Sequence, residues 1–179
     1  MNKKSLTSSL FLIAVTAFFG FHVLTNNEPN EEIYSIYLVR HTEKDLSKGE
    51  PGNPPLTQCG EERAHHLNAF LQDVKIEAIY STDYTRTMST ANPTATAKNL
   101  DVQEYDPQKL EALAQILLEK EQNALVVGHS NTTGVLAGLL VGEEVGEIDL
   151  NVYNLIYQVN VHKGTSQLNQ FQTSFKCEE

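Results

Sequence analysis

From residue 33 onward the apolar and polar positions divide the chain into strands and helices that follow one another. Residues 33–39 hold a run of strand-forming side chains, Ile36, Tyr37, Leu38 and Val39, which stops abruptly at Arg40-His41. Residues 60–73 place Ala64, Leu67, Phe70 and Leu71 at helical spacing, with His65 and His66 on the same helix, read as a solvent or interface face. Residues 76–81 predict a second strand. Residues 84–99 predict a helix N-capped by Thr82 or Asp83 and kinked or broken at Pro93. A short edge strand over 102–105 precedes Pro107, which at a first helical position opens a helix with the stripe Leu110, Leu113, Ala114, Leu117 and Leu118. A strand over 124–127, an apolar helix over 131–141 capped by Gly142, and a hairpin of 152–161 with 166–174 around Lys163-Gly164 complete the pattern. Strands alternating with helices and ending in a hairpin predict a three-layer α/β/α sandwich. Its central sheet should be mostly parallel with an antiparallel edge.

The first 26 residues break this pattern. Lys3 and Lys4 precede a mostly apolar stretch, Leu10 to Leu24, and no acidic residue occurs before Glu28. The stretch is shorter than the ~20 residues of a membrane span, and no clean small-residue cleavage site follows it. Residues 1–26 therefore read as a secretory signal peptide or as an uncleaved anchor attaching the chain to a membrane through residues 5–24. Residues 27–32 read as a linker, and 33–179 as one domain. Either version puts the domain outside the cytoplasm, whether periplasmic, secreted or anchored. Two cysteines, Cys59 and Cys177, suit an exported chain with one disulfide, although sequence does not show that they meet. Cys59 does not read as a phosphatase nucleophile: where such a site needs an Arg to hold phosphoryl oxygens, His65 stands.

Charge narrows the partners. The 179 residues carry 13 basic and 23 acidic side chains, a formal charge of −10. So acidic a chain, without a basic stripe interleaved with aromatics, is not built for nucleic acid. Against that background, basic residues at strand ends stand out. Arg40-His41 ends the first strand, Arg86 follows AIYST, and His129 ends ALVVGH. In open α/β sheets ligands bind at the carboxyl ends of strands. Guanidinium forks match phosphoryl oxygens, and an imidazole can attack phosphorus through one nitrogen while the other holds a backbone carbonyl. The turn Gly128-His129-Ser130-Asn131 enters a helix whose N–H groups favour an anion. His41, Glu43 and His129 are also legitimate zinc ligand types, but two arginines at the same strand ends repel a cation. No metal and no cofactor is expected.

These segments resemble the histidine phosphatase superfamily, also called phosphoglycerate-mutase-like. The resemblance rests on Arg40-His41, PLTQCGEERA at 55–64, IYSTDYTRTMSTA at 79–91 and VVGHSNT at 126–132, in order over residues 33–150. It implies that His41 is the phosphorylated nucleophile, and that Arg40, Arg86 and His129 bind and stabilise the transferring phosphoryl group. The short interval between Arg86 and His129 is similar to the SixA-like phosphohistidine-phosphatase branch, which lacks the cap insertions of mutases and phytases. Thr42 stands where many members have Gly, and it still offers a hydroxyl to phosphate. Ser130 and Asn131 are further candidates for phosphate hydrogen bonds or for support behind them.

The proton donor is the gap in this pattern, because longer members place it in an insertion that is missing here. Glu43 and Asp45 are the carboxylates near His41 in sequence. Glu43 has two readings: donor to the leaving group, or ion-pair partner of Arg86 or Lys44 that orients the loop. The long Gly- and Pro-rich loop over 42–58 has the length of a functional one. The expected function is an exported, metal-independent phosphatase. It would hydrolyse a phosphomonoester or phosphoramidate, borne by a small molecule or a protein, through phospho-His41. The alternatives are a non-catalytic phospho-ligand binding module on the same fold and a phosphomutase.

Overall fold

The structure is a computed structural model that describes residues 33–177. The signal or anchor expected over 1–26 and the linker over 27–32 lie outside the described residues. The elements run β1 (Tyr34–Arg40), α1 (Gln58–Phe70), β2 (Ala78–Ser81), α2 (Thr85–Lys98), β3 (Val102–Glu104), α3 (Leu110–Lys120), β4 (Ala124–Gly128), α4 (Thr133–Val141), β5 (Leu155–His162) and β6 (Thr165–Gln172).

The strands form one sheet in the order β3-β2-β4-β1-β5-β6. The first four are parallel, and the hairpin β5–β6 adds the antiparallel edge alongside β1. Because β4 returns to lie between β2 and β1, the carboxyl ends of all three are adjacent. Alternation along each strand feeds two cores. Ile36, Leu38 and Val126 face Leu113, Leu117, Leu136 and Leu140 from α3 and α4. Tyr37, Val39 and Val127 face Leu67, Leu71, Ala91 and Ala95 from α1, its end and α2. With both sheet faces buried, β1 and β4 read as continuous apolar runs. The α/β/α sandwich expected from the pattern is the observed architecture.

Helix starts differ from the sequence expectation. Neither Thr82 nor Asp83 caps α2: its N-cap is Tyr84, without a side-chain bond. Instead Asn53 reaches over from the 42–57 loop and accepts from the Thr85 N–H at 2.8 Å. The helix continues through Pro93 without a break and ends at Asn99 in the left-handed conformation (φ 53°). Proline removes one ladder bond, while a buried face of Thr87, Thr90, Ala91, Thr94 and Ala95 holds the helix against the sheet. Pro107 lies in a turn ahead of α3, where the Asp106 carboxylate accepts from the Gln108 N–H at 2.9 Å.

The loop between β1 and α1 is pinned at both ends. Lys44 bridges Leu56, and Glu50 bridges Asn53. Thr57 caps α1 by accepting from the Gly60 N–H at 3.0 Å, and its own N–H donates to the Glu43 carbonyl at 2.9 Å. A Cβ on Gly60 would run into that same carbonyl, so only glycine lets α1 start this close to the residues after His41. The C-terminal tail packs against the start of α1 beside Glu43. There Cys59 and Cys177 form a disulfide, with Cα atoms 5.5 Å apart and a sequence separation of 118. Arg63 donates to the Phe175 carbonyl at 3.0 Å, which holds the tail down.

Closing so long a loop limits the unfolded chain, so replacing both cysteines by serine should lower unfolding stability by about 2–5 kcal/mol. Denaturant unfolding with and without reductant measures the difference. An unchanged midpoint in reductant would show that the crosslink does not restrain the unfolded chain.

Candidate active site

The register of two strands brings the histidines together. Arg40 pairs with Gly128 across β1 and β4, and the His41 N–H donates to the Gly128 carbonyl at 2.9 Å. The next residue on each strand is therefore a histidine, and the two rings meet edge to face at 5.6 Å. Arg86 enters from the first turn of α2, just past β2. Its Nη2 lies 3.4 Å from His129 Nδ1, and its guanidinium stacks on Tyr84 at 4.4 Å.

Each ring is held by a different nitrogen. His41 Nδ1 lies 2.7 Å from the Thr42 carbonyl, an acceptor only, so Nδ1 carries the proton and Nε2 has the free lone pair. Thr42 is itself fixed by Thr90: its N–H and hydroxyl sit 3.1 and 3.2 Å from Thr90 Oγ1. His129 Nε2 lies 2.9 Å from Thr82 Oγ1. Burial drives the His41 pKa down to about 3, with Arg40, Arg86 and His129 adding to the fall against the Thr42 hydrogen bond. Burial, followed by Arg86, Arg40 and Lys44, brings His129 to about 4. Both imidazoles are neutral at neutral pH. A neutral His41 is the nucleophilic form.

Arg40 is 3% exposed. Its Nη1 donates to the carbonyls of Leu150 (2.8 Å), Asp149 and Val152 (both 3.2 Å), and its guanidinium lies 4.2 Å over the Tyr153 ring. Arg86 Nη1 donates to the Gly52 carbonyl at 3.2 Å. The Nε–H of both arginines is buried without a partner among the described residues. Two desolvated cations with orphan donors, neither in a salt bridge with a carboxylate among the described residues, make an anion site. They line a pocket of about 360 Å³ together with His41, His129, Lys44 and Tyr84. A larger groove of about 550 Å³ between α1 and α2, bordered by His65, Asn68 and Pro93, lies away from the strand ends and has no arginine. The basic strand-end residues are gathered at the smaller pocket.

The four basic residues expected at the strand ends, Arg40, His41, Arg86 and His129, all line this pocket, as do Ser130 and Asn131. Two expectations change. Thr42 does not line it: the side chain is buried, and both its donors turn to Thr90, so it braces the backbone next to His41. Glu43 does not line it either. Arg63 grips both carboxylate oxygens, Nε at 2.9 and 3.0 Å and Nη2 at 2.6 Å. Of the two roles read for Glu43, the structure displays the ion pair, with Arg63 in place of Arg86 or Lys44. Asp45 bonds Ser47 and Lys48. Among the described residues, no carboxylate lines the pocket.

Some site residues escaped the sequence reading. Lys44 and Tyr84 adjoin Arg40-His41 and Arg86 in sequence, so proximity alone could have flagged them. Tyr153 and Leu150, more than a hundred residues from Arg40, gave no local signal. Among the described residues one cluster has metal-ligand elements, Glu43 with Cys59 and Cys177. Its sulfurs are joined to each other and its carboxylate is held by Arg63, so no thiolate is left to bind an ion.

An α/β/α sheet whose strand ends present two arginines and two neutral histidines forms a site suited to an anion such as a phosphoryl group. Residues 36–108 match the family described as histidine phosphatase superfamily (branch 1). The fold is similar to the protein histidine phosphatase SixA complexed with tungstate, at 22% identity and TM-score 0.64, covering 77% of this chain and 96% of that one. It is also similar to the alpha-ribazole phosphatase from Shigella flexneri (17%, 0.65, covering 81% and 100%) and to Bacillus stearothermophilus YhfR (18%, 0.59, covering 75% and 95%). No curated protein matches the sequence. The sequence is thus similar to the histidine phosphatase superfamily over residues 36–108, and the fold is shared with these solved structures. They spread over several branches and single out none.

The neutral histidines, His41 buried and His129 half-buried, make stability depend on pH. Between about 6.5, the ordinary histidine value, and the folded values of about 4 and 3, the unfolded chain binds protons that the folded chain refuses. Stability is complete above about pH 6.5 and falls as the pH is lowered through that window. Thermal midpoints should therefore drop on acidification more steeply for the wild type than for His41→Asn. Parallel curves would show that His41 is not held neutral by the fold.

Proposed function

We propose that the domain is a phosphatase that works through a phosphohistidine on His41. The observation that carries this is the His41 ring, fixed through Nδ1–H and flanked by Arg40 and Arg86, with Nε2 free. Nε2 attacks phosphorus in line, and the bond from phosphorus to the leaving group breaks with its electron pair going to that group. The two guanidiniums and His129 hold the equatorial oxygens as charge spreads over them. The Thr42 carbonyl keeps the Nδ1 proton on the ring while Nε2 carries the phosphoryl group. Water then attacks phosphorus, the P–N bond returns its electrons to His41, and phosphate leaves. The presence of His41 favours an enzyme over a binding module.

The substrate class follows from the missing acid. No described carboxylate lines the pocket, so the best substrates carry leaving groups that depart without a strong protein acid. A phosphoramidate such as phosphohistidine fits this, and so does an ester of a weakly basic alcohol. SixA, to which the fold is similar, is described as a protein histidine phosphatase, which supports the phosphoramidate. We also place the domain outside the cytoplasm. The Lys3-Lys4 and apolar pattern of residues 1–26 supports this, and so does the Cys59–Cys177 disulfide, which suits an oxidising compartment.

Three outcomes are expected. A rapid-quench experiment should trap an acid-labile, alkali-stable phosphoryl adduct on His41, and His41→Ala should fold yet fail to turn over; label on Ser130 would overturn the assignment. Glu43→Gln should slow basic and activated leaving groups by similar factors, because it disturbs the loop they share. A selective loss of ~10²–10⁴-fold for basic leaving groups would restore Glu43 as the acid. A reporter fused after residue 32 should be active only if it is one that matures in an exported compartment. Activity of a cytoplasm-only reporter would refute export.

A further inference from the structure

We propose that Thr87, acting through Thr82, holds His129 as its Nε2–H tautomer and leaves Nδ1 as the nitrogen that meets the phosphoryl group. The inference rests on the reading of this pocket as a phosphoryl site, but its first readout does not require turnover.

The argument is a count of protons along a buried chain of hydrogen bonds. Thr87 Oγ1 lies 2.8 Å from the Thr82 carbonyl and 2.9 Å from the Tyr84 carbonyl. Carbonyls only accept, so the Thr87 hydroxyl proton is directed at them. Its oxygen is then free to accept from Thr82 Oγ1, 3.0 Å away. With the Thr82 proton engaged on Thr87, Thr82 Oγ1 can only accept from His129 Nε2 at 2.9 Å. The other ring nitrogen gives the same answer independently. Nδ1 faces Arg86 Nη2 at 3.4 Å, and a guanidinium only donates, so Nδ1 holds a lone pair. Both threonines are fully buried, so water does not compete for these bonds.

The arrangement mirrors that of His41. Thr90, one turn along α2 from Thr87, braces Thr42, whose carbonyl fixes His41 through Nδ1. Thr87 fixes His129 through Nε2. One buried face of α2 thus sets both tautomers, and in opposite senses.

The consequence is where the proton goes when an anion binds. Around His129 stand Arg86 from α2, Arg40 and His41 from the end of β1, Lys44 from the following loop, and Tyr84. No described carboxylate is among the pocket residues. In the free protein burial, with these cations adding to it, keeps Nδ1 unprotonated. An anion on the arginines reverses the balance, so that Nδ1 takes a proton from solvent and donates it to an anion oxygen as a charge-assisted bond. Without Thr87, the Thr82 hydroxyl can donate to Nε2. The neutral ring then carries its proton on Nδ1 from the start and gives only a neutral hydrogen bond.

The test uses the described domain within the full chain, ¹⁵N-labelled on histidine, with inorganic sulfate as an anion that does not titrate near neutrality. In the wild type, the His129 shifts should report Nε2–H without sulfate and a doubly protonated ring with it. Thr87→Val should report Nδ1–H without sulfate and take up one proton fewer on binding, with Thr87→Ser behaving as the wild type. Thr87→Val should also bind sulfate and turn over substrate about tenfold less well, the difference between charge-assisted and neutral hydrogen bonds. A wild-type ring already protonated on Nδ1 in the free state would overturn the proposal, whether or not the variants fold. So would an unchanged tautomer in Thr87→Val. If the tautomers are as stated but His41→Ala still turns over, the phosphohistidine reading fails and the relay stands.

Discussion

The parallel pairing of β1 with β4 sets the geometry on which the rest of the site depends. Arg40 lies opposite Gly128, and the His41 N–H closes onto the Gly128 carbonyl, so the chain leaves both strands with a histidine at the same level. A slip of one residue would turn every side chain of β1 to the other face of the sheet. Burial on both faces forbids that slip, because Ile36 and Leu38 belong to one core and Tyr37 and Val39 to the other. Packing far from the pocket thus holds the two rings 5.6 Å apart.

On this frame the site concentrates positive charge inside an acidic protein. Two guanidiniums sit beside two imidazoles in a desolvated pocket, and the imidazoles respond by staying neutral. Arg40 is steadied by three carbonyls of the 149–152 segment and by the Tyr153 face, which satisfy it without cancelling its charge. A carboxylate partner would have neutralised the attraction for an anion. The nearest acidic side chain in sequence, Glu43, is instead turned away and held by Arg63.

Behind the pocket, segments distant in sequence are tied to the residues that follow His41. Thr57 and Gly60 bring the start of α1 against the Glu43 backbone, Arg63 grips its side chain, and the disulfide at Cys59 fastens the C-terminal tail over the same turn. On the other side the loop reaches α2, with Asn53 on the Thr85 N–H and Gly52 on Arg86. The long loop off β1 therefore braces both the turn after His41 and the second arginine. That accounts for its length better than a free flap would.

Local pattern was enough for the strands, the helices and the four basic strand-end residues. Their signals lie within a few positions: apolar runs buried on both faces, helical stripes, and a basic residue where each run stops. The helix starts of α2 and α3 were less legible, since the donor N–H of α2 is satisfied by Asn53 from another loop. Partners decided by contacts across the chain could not be read from it, even where a disulfide or a Glu43 ion pair was expected. Glu43 chose Arg63 over its nearer neighbours, Thr42 turned to Thr90, Tyr153 reached Arg40, and Cys59 met Cys177. Each of these pairs a short-range side chain with a partner that only the sheet order and helix packing bring close. A sequence names the groups that can do phosphoryl chemistry, while the direction in which each proton points is settled by neighbours that folding supplies.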